Sequence, residues 1–241
     1  MSDSFAALRA PNRARLVDDV RQSLEDAILA GHIKPGDRLV ETRLTEQLGV
    51  SRTTVREALL MLERQGLVVT QPRRGTFVAR LSKQDALDLG YARALLEGYA
   101  VRIGFQKIDD ALLARLDTFI EDMGRCSLPE DMPRLVQLDL DFHRLLVEIC
   151  HSPRIMELWS NLSGQIRALF ITTLENEHVT IDYIVAFHQR LVDELRSGDP
   201  ARAQTAILKH YVRTLEGEQL AALTTTIDTV APLARTSPAR E

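Results

Sequence analysis

The stretch GHIKPGDRLVETRLTEQLGVSRTTVREALLMLERQGLVVTQPRRGTFV, residues 31–78, decides the fold of the first third of this 241-residue chain. Residues 42–48 have the apolar spacing of a short helix, and Ser51 is a favourable N-cap for a second helix that runs to Arg64. Gly49 stands between them, where a tight turn is needed. The pattern therefore predicts two short helices joined by a turn, which is a helix-turn-helix.

The segments on either side of this helix pair complete a small domain. Apolar residues recur at helical spacing over residues 13–30, which predicts an amphipathic helix ahead of the pair. Behind the pair the period changes, because residues 67–70 and 76–79 are β-prone runs that flank a loop, residues 71–75. That loop contains two arginines and a glycine, so the sequence predicts a basic β-hairpin, or wing.

The second helix of the pair has the properties of a DNA-recognition helix. Its apolar residues share one face, whereas Arg52, Thr53 and Arg56 lie on another face near the N-terminus. The first turns of a recognition helix enter the major groove, where arginine can bond guanine O6 and N7. Residues 51–80 carry six arginines and two acidic residues, so this segment would also attract the phosphates of double-stranded DNA.

Composition and charge are those of a soluble globular chain with two domains. The chain is 45% hydrophobic and 27% charged, which excludes the collagen-like, disulfide-scaffold and disordered classes. Residues 1–80 have 13 basic and 10 acidic residues, a net charge of +3, whereas residues 81–241 have 17 and 24, a net charge of −7. No apolar stretch approaches the ~20 residues of a membrane span, and the N-terminus lacks a signal-peptide pattern. We therefore expect a cytoplasmic protein with no membrane partner.

From Ser82 onward the sequence predicts helices alone. Prolines and glycines divide this part into six apolar-periodic patterns. They span residues 82–105, 109–124, 132–150, 153–175, 180–197 and 200–223. We therefore expect a mainly α protein in four parts. These are a flexible N-terminus at 1–12, a winged helix-turn-helix domain at 13–80, a helical bundle at 81–223 and a disordered tail at 224–241.

Four polar residues of the helical part have the chemistry of metal ligands. Asp139 and His143 stand four positions apart in one helical pattern, which places both on one face about one turn apart. His188 and His210 lie inside the last two helical patterns, so a bundle could bring all four side chains together. Three imidazoles and one carboxylate suit Zn²⁺, Ni²⁺ or Mn²⁺ and leave coordination positions open. We therefore predict a divalent metal site, with zinc as the first choice.

Residues 31–78 resemble the winged-helix DNA-binding domain of the GntR family of bacterial transcription regulators. The family's landmarks occur in order and spacing over almost fifty residues, with Thr54 at a position where many relatives have proline. The resemblance implies contacts to operator DNA from the recognition helix, from the wing tip in the minor groove, and from arginines that touch phosphates. The implied contacts of the recognition helix are Arg52, Thr53, Thr54 and Arg56. The implied contact of the wing tip is Gly75, and the arginines implied to touch phosphates are Arg38, Arg73 and Arg74.

The sequence from Ser82 to about Leu223 resembles the FCD ligand-binding domain of the FadR-like branch of that family, which is an antiparallel helical bundle. The segments ARALLEGYA, DLDFHRLLVEIC and FHQRLVDELRSGDPARA carry the likeness, together with His210. In the metal-binding members of this branch, one aspartate and three histidines ligate a divalent cation. The matching positions here are Asp139, His143, His188 and His210. Effectors in the branch are commonly small organic acids, which implies a small carboxylate as a partner of this domain.

Two arginines are candidates for contact with the effector. Arg93 stands where relatives often have an arginine that reaches the effector's second polar group. Its spacing to Glu97 is equally typical of a surface ion pair, which would contribute only a few tenths of a kcal/mol. Arg167, in the fourth helical pattern of the bundle, is the second candidate.

The main alternative is a metal-dependent enzyme of the helical-bundle type. Glu148-x-x-His151 and Glu175-x-x-His178 have the spacing of ferritin-like di-iron sites, but both pairs stand at the ends of their predicted helices. The sequence also contains no Ser/His/Asp triad, His-Glu-x-x-His motif or phosphate-binding glycine loop. We therefore expect not an enzyme but a metabolite-responsive transcription regulator that binds a palindromic operator as a homodimer. Repression relieved by the effector is favoured over activation.

Overall fold

The structure is a computed structural model, and its chain divides into two compact units, Met1–Ala79 and Arg80–Glu241. The residues that it describes are 13–176, 180–211, 224, 225 and 227. The N-terminal segment 1–12, for which we expect flexibility, lies outside the described residues, and so does most of the predicted disordered tail. None of the described helices is both long and apolar enough to cross a membrane.

The N-terminal unit consists of three helices and a three-stranded sheet. In chain order these elements are α1 (Arg13–Leu29), β1 (Arg38–Leu39), α2 (Glu41–Leu48), α3 (Arg52–Arg64), β2 (Val68–Gln71) and β3 (Gly75–Val78). Strand β3 lies in the middle of the sheet and pairs antiparallel with both β1 and β2. The predicted winged helix-turn-helix is confirmed. The structure adds the strand β1, whose two residues are too few to produce a periodic signal.

Local backbone chemistry sets the angle between α2 and α3. Gly49 ends α2 in the left-handed conformation, with φ of 65°, which a glycine adopts without steric strain. Ser51 begins α3 as its N-cap, because the Ser51 side chain accepts a hydrogen bond of 3.1 Å from the backbone N–H of Thr54. Helix α1 packs on α3, and Ile28 and Leu62 are fully buried in this unit. The apolar face of α3 is therefore buried, and its Arg52 side is left exposed.

The described part of the C-terminal unit contains α-helices and one 3₁₀ turn, Phe105–Lys107. The α-helices are α4 (Lys83–Gly104), α5 (Asp110–Gly124), α6 (Met132–Glu148), α7 (Pro153–Ser160), α8 (Ser163–Asn176), α9 (Ile181–Arg196) and α10 (Pro200–Tyr211). The single helix predicted over 153–175 is therefore wrong, because α7 ends at Ser160 and α8 begins at Ser163. The Ser163 hydroxyl donates to the carbonyl of Ser160 at 2.8 Å, a local side-chain bond of the kind that competes with a continuous helix.

Close packing of α10 on α4 positions the end of α10. A Cβ at Gly90 would lie 3.2 Å from the carbonyl oxygen of Tyr211, so the absence of a side chain allows the two helices to approach. Further along, Leu208 packs with Ala94 and Ile227. Ile227, a residue of the predicted tail at 224–241, is only 2% exposed. Burial of this apolar side chain keeps the residue with the helical unit.

Candidate metal centre and nucleic-acid interface

Three helices of the C-terminal unit bring three histidines together. His143 on α6, His188 on α9 and His210 on α10 each offer one ring nitrogen, and these atoms lie within 4.8 Å of one another. The ring centroids are 5.4 Å apart for His143 and His188, and each lies 4.9 Å from the His210 centroid. His143 and His188 are buried, and His210 is half-buried. The structure thus places three of the four sequence-predicted metal ligands around one point.

The fourth candidate, Asp139, lies one turn before His143 on α6. Its Oδ1 atom is 3.2 Å from Nε2 of His188 and 3.8 Å from Nε2 of His143. Two ligand atoms that are each about 2.1 Å from one ion lie roughly 3 to 4 Å apart, so this spacing is that of neighbouring ligands. The carboxylate therefore belongs to the same cluster as the imidazoles.

The hydrogen bonds of the two buried histidines indicate which ring nitrogen is available to an ion. Glu97 Oε2 lies 2.8 Å from Nδ1 of His143, and the carbonyl oxygen of Ile184 lies 2.9 Å from Nδ1 of His188. Because both oxygens only accept, each Nδ1 carries a proton, so each Nε2 is the ring nitrogen left for an ion. Nε2 of His188 lies 3.2 Å from Oδ1 of Asp139, so one cation could bind both atoms.

Buried polar atoms without partners also fit a metal ion. Among the described residues, Nε2 of His143 and Oδ2 of Asp139 are buried and have no hydrogen-bond partner. Buried polar atoms in proteins nearly always have one, so an atom that lacks one requires an explanation. The residues present therefore fit a divalent cation held by Asp139 and the three histidines.

Burial and neighbouring charges put the candidate ligands in the protonation states that a metal requires. Burial lowers the pKa of His143, which keeps its imidazole neutral. For Asp139, burial alone would raise the pKa, but His143, the hydrogen bond from His188 and the guanidinium of Arg93 lower it well below the ordinary value. A neutral imidazole and an ionised carboxylate can bind a cation without first losing a proton.

Glu97 is a buried residue of this site whose central role was not predicted from the sequence. Besides the bond to His143, its carboxylate accepts a hydrogen bond of 2.7 Å from Trp159 Nε1 and one of 2.6 Å from the Tyr211 hydroxyl. It also forms an ion pair with Arg93 at 3.3 Å, and it is fully buried. The only sign of this role in the sequence is the four-residue spacing between Arg93 and Glu97, and that spacing is equally common on exposed helices. Glu97 therefore fixes the orientation of the His143 ring through the Nδ1 atom, which leaves Nε2 directed at the other candidate ligands.

Arg93 lies beside this cluster on the wall of a cavity of about 530 Å³, which is also lined by Asp139, His188 and His210. Its guanidinium is 3.7 Å from Oδ2 of Asp139, and its central carbon is 4.4 Å from the centroid of the Tyr211 ring. Arg93 is thus placed where an anionic ligand of the cavity could reach it.

The second arginine candidate has a different location. Arg167 on α8 donates a hydrogen bond of 2.9 Å to the Gln137 side chain in an exposed pair, and it is not among the described residues that line the cavity. Glu148 and His151 of the di-iron alternative are exposed at the end of α6. The side chains of Glu175 and His178 lie outside the described residues.

The N-terminal unit exposes most of the predicted DNA-contacting residues of α3. Arg52 and Thr53 are exposed, and Arg56 is exposed while its Nε donates a 2.7 Å hydrogen bond to Glu41 of α2. Thr54 differs from the expectation, because it is only 4% exposed and its hydroxyl lies 2.8 Å from that of Ser51. The structure therefore places Thr54 in the helix cap, whereas the resemblance implied an operator contact.

The wing presents three more arginines. Arg38, Arg73 and Arg74 are all exposed, and Arg73 adopts a left-handed conformation with φ of 64° in the turn between β2 and β3. Gly75 begins β3 with φ of 111°, and a Cβ there would lie 3.0 Å from Nε of Arg38. The backbone conformation therefore favours a glycine at this position, and the Arg38 side chain packs against it.

Both units match known protein families. Residues 16–78 match the family described as bacterial regulatory proteins, gntR family, and residues 88–213 match the FCD domain. The chain belongs to the gntR family of bacterial regulatory proteins and carries an FCD domain.

Named relatives and a solved structure agree with this assignment. The Nta operon transcriptional regulator of Aminobacter aminovorans is 30% identical over 77% of this chain and 88% of its own length. The HTH-type transcriptional repressor NanR of Cronobacter sakazakii is 30% identical over 82% of this chain and 83% of its own. The crystal structure of a GntR transcriptional regulator from Rhodococcus sp. RHA1 has a TM-score of 0.67 and 28% identity, covering 90% and 98% of the two chains. These relatives are transcription regulators rather than enzymes, so the chain is a transcriptional regulator.

Proposed function

We propose that this regulator is a metabolite-responsive repressor that binds a palindromic operator as a homodimer. Its helical domain senses a small carboxylate at a divalent metal site, with zinc as the first choice and nickel or manganese as alternatives. The observation that carries the proposal is the convergence of His143, His188 and His210 within 4.8 Å, next to Asp139 and to the cavity that Arg93 lines.

Each residue of the site has a distinct task in this proposal. Asp139, His143, His188 and His210 hold the ion, and Glu97 keeps Nε2 of His143 directed at it. The metal supplies, when bound, a positively charged centre that attracts the effector's carboxylate. Arg93 adds a second positive group at the wall of the same cavity.

The DNA side of the proposal rests on the exposed face of α3 and on the wing. Arg52, Thr53 and Arg56 would read the major groove, and Arg38, Arg73 and Arg74 would contact phosphates with Gly75 at the wing tip. A single recognition helix reads one half-site, so a homodimer is expected to bind two half-sites related by a two-fold axis. Repression is favoured because one named relative is a repressor.

Effector binding would act by a population shift. A carboxylate that binds one arrangement of the dimer more tightly than another moves the equilibrium only by that difference in affinity. If the favoured arrangement separates the two recognition helices by a distance that no longer matches the half-sites, operator affinity falls.

The first test is the metal content of the full-length protein, purified without an affinity tag and dialysed against Zn²⁺. We expect one equivalent of zinc per chain in the wild type and a loss of that zinc in His143→Ala and His188→Ala. The matched control is His151→Ala, which removes an exposed histidine from the end of α6. Absence of zinc from the wild type, or equal zinc in all four proteins, would contradict the metal site.

A second test addresses the DNA side. A duplex selected from random sequence by the wild-type protein should be palindromic, and the protein–DNA complex should contain two chains. Sedimentation that finds only monomers with and without this duplex would contradict the homodimer.

A further inference from the structure

The cavity beside the metal ligands is lined by residues along one face of α4. Lys83, Leu87, Gly90 and Arg93 all line it, at helical spacings of three and four residues. Arg93 lies ten positions after Lys83, which corresponds to about 15 Å along a helix with a rise of 1.5 Å per residue. One end of the cavity is therefore at the buried metal ligands and Arg93, and the other is at the exposed start of α4.

The wall between these two ends is apolar. Most of the described lining residues there have aliphatic or aromatic side chains, which include Leu87, Leu89, Met132, Leu135, Phe170 and Ile184. Among the described lining residues, the cations are Arg93 at the buried end and Lys83 at the exposed end. A ligand body in contact with this wall gains most if it is itself apolar.

The buried end has a charge that suits one carboxylate. A divalent ion and Arg93 together bring three positive charges, and the carboxylates of Asp139 and Glu97 bring two negative charges. One positive charge is left over, since imidazoles that ligate a metal are neutral and add none. A single carboxylate would neutralise this end, whereas a second carboxylate on the same ligand would lie against the apolar wall, where an unpaired charge is costly.

The cavity is larger than the smallest organic acids can fill. A three-carbon acid displaces only a few water molecules, each with a share of about 30 Å³ of the liquid. It would leave most of the 530 Å³ filled with water against an apolar surface. A chain of eight carbons extends for roughly 9 Å when its bonds of about 1.5 Å are in a zigzag, and this fits within the length of the cavity.

We propose that the effector is an amphipathic monocarboxylate, with its carboxylate at the metal ligands and Arg93 and an apolar body of about six to ten carbons along α4. This proposal rests on the proposed function, because it takes the carboxylate sensor as given and names the class of acid. Short hydroxy acids and dicarboxylates would bind more weakly at this site.

Calorimetric titration of the full-length, zinc-loaded protein tests the class directly. The probes are acetate, butyrate, hexanoate, octanoate and 3-phenylpropanoate, with lactate and succinate as the short polar acids. We expect affinity to rise with each added methylene, up to about fourfold per step, which is the fold-change that roughly 0.8 kcal/mol per buried CH₂ represents. Octanoate or 3-phenylpropanoate should bind at least about a hundredfold more tightly than lactate or succinate.

A pair of matched variants ties the effect to this cavity. Ala86→Met narrows it near the middle of the α4 wall and should weaken octanoate binding while leaving acetate binding unchanged. Ala92→Met introduces the same side chain at a half-buried position of α4 that is not among the described lining residues, and it should leave both affinities unchanged. Equal effects of the two variants on octanoate would overturn the placement of the apolar body along α4.

The outcomes separate the effector class from the sensor function. If the protein binds zinc, and lactate or succinate binds as tightly as octanoate, the proposed sensor stands and the amphipathic class is wrong. If the protein takes up no zinc, or if no acid of the series binds the zinc-loaded protein, the proposed function is wrong, and so is the proposed class of effector. A release of the selected operator duplex by octanoate, but not by acetate, supports both.

Discussion

In the winged unit the functional charges are exposed, whereas in the helical unit they are buried. Arg56 of α3 is 65% exposed and its partner Glu41 is 34% exposed, while Arg93 and Glu97 of α4 are 5% and 0% exposed. Exposed charges are screened by salt and contribute little to folding. Buried charges must satisfy one another, because water cannot do so.

Because of this difference, the two units should respond differently to amino-acid substitutions. The exposed arginines of the winged unit contact water in the free protein, so the effects of replacing well-separated ones are expected to add. The side chains around Glu97 form one connected network with the candidate metal ligands, so a single substitution there reaches several neighbours. The comparison can be tested with variants in both units.

The largest effect is expected from Glu97→Ala. It leaves the buried guanidinium of Arg93 without its ion-pair partner at 3.3 Å and removes the acceptor for His143, Trp159 and Tyr211. We expect the free energy of unfolding of the helical domain to fall by about 3 to 5 kcal/mol. Urea denaturation with a chelator present, at one fixed protein concentration, measures the change without a contribution from bound metal.

The matched control for this substitution is Glu148→Ala. Arg144 and Glu148 have the same order and spacing as Arg93 and Glu97, but their side chains are 58% and 46% exposed. Loss of that pair should change the free energy of unfolding by at most about 1 kcal/mol. Equal destabilisation by the two variants would remove the distinction between the buried and the exposed network.

Glu97→Gln is a more conservative substitution than Glu97→Ala, and it tests the effect of Glu97 on metal binding. The amide retains the size of the side chain but not the charge that holds the proton on Nδ1 of His143. We expect zinc affinity, measured by competition with a chromophoric chelator, to fall about 10- to 100-fold. Trp159→Phe removes a hydrogen bond to the other carboxylate oxygen of Glu97 but keeps its charge, so it should lower zinc affinity less than Glu97→Gln does. Unchanged affinity in Glu97→Gln would contradict the orienting role of this carboxylate.

In the winged unit, Arg52→Ala should affect recognition without affecting the fold. The side chain is exposed, so the free energy of unfolding should change by less than about 0.5 kcal/mol. We expect binding to the selected operator to weaken by about 1 to 3 kcal/mol at the base pair that Arg52 reads. Fluorescence anisotropy with single-base variants of the duplex measures this, with Arg115→Ala of α5 as the control. A uniform loss over all sequences would instead assign Arg52 to a phosphate.

The smallest effect is expected from Thr54→Val. The substitution keeps the shape of this buried residue but removes the hydroxyl that lies 2.8 Å from that of Ser51. We expect a destabilisation of about 1 kcal/mol and no change in base preference. Thr53→Val, one residue earlier and exposed, should do the reverse and weaken operator binding with little effect on stability. A changed base preference in Thr54→Val would instead indicate that Thr54 contacts DNA.

Short-range patterns in the sequence were sufficient for much of the fold. The periodicity around Gly49 and Ser51 predicted the helix-turn-helix, and the change to β-prone runs after Arg64 predicted the wing. These features depend on residues within one or two turns of each other, so local sequence determines them. The predicted helix over 153–175 was wrong because the break at Asn161 depends on local side-chain hydrogen bonds, which apolar periodicity does not reveal.

The sequence by itself thus determined most of the secondary structure, the family, and the pairing of Asp139 with His143 on one face of α6. Only the tertiary structure decided the long-range parts of the site. The bond from His143 to Glu97 joins residues 46 positions apart, and the bond from Tyr211 to Glu97 joins residues 114 apart. Such contacts exist because whole helices pack at particular heights and rotations. Those heights and rotations follow from side-chain packing along every interface of the bundle, which no single segment specifies.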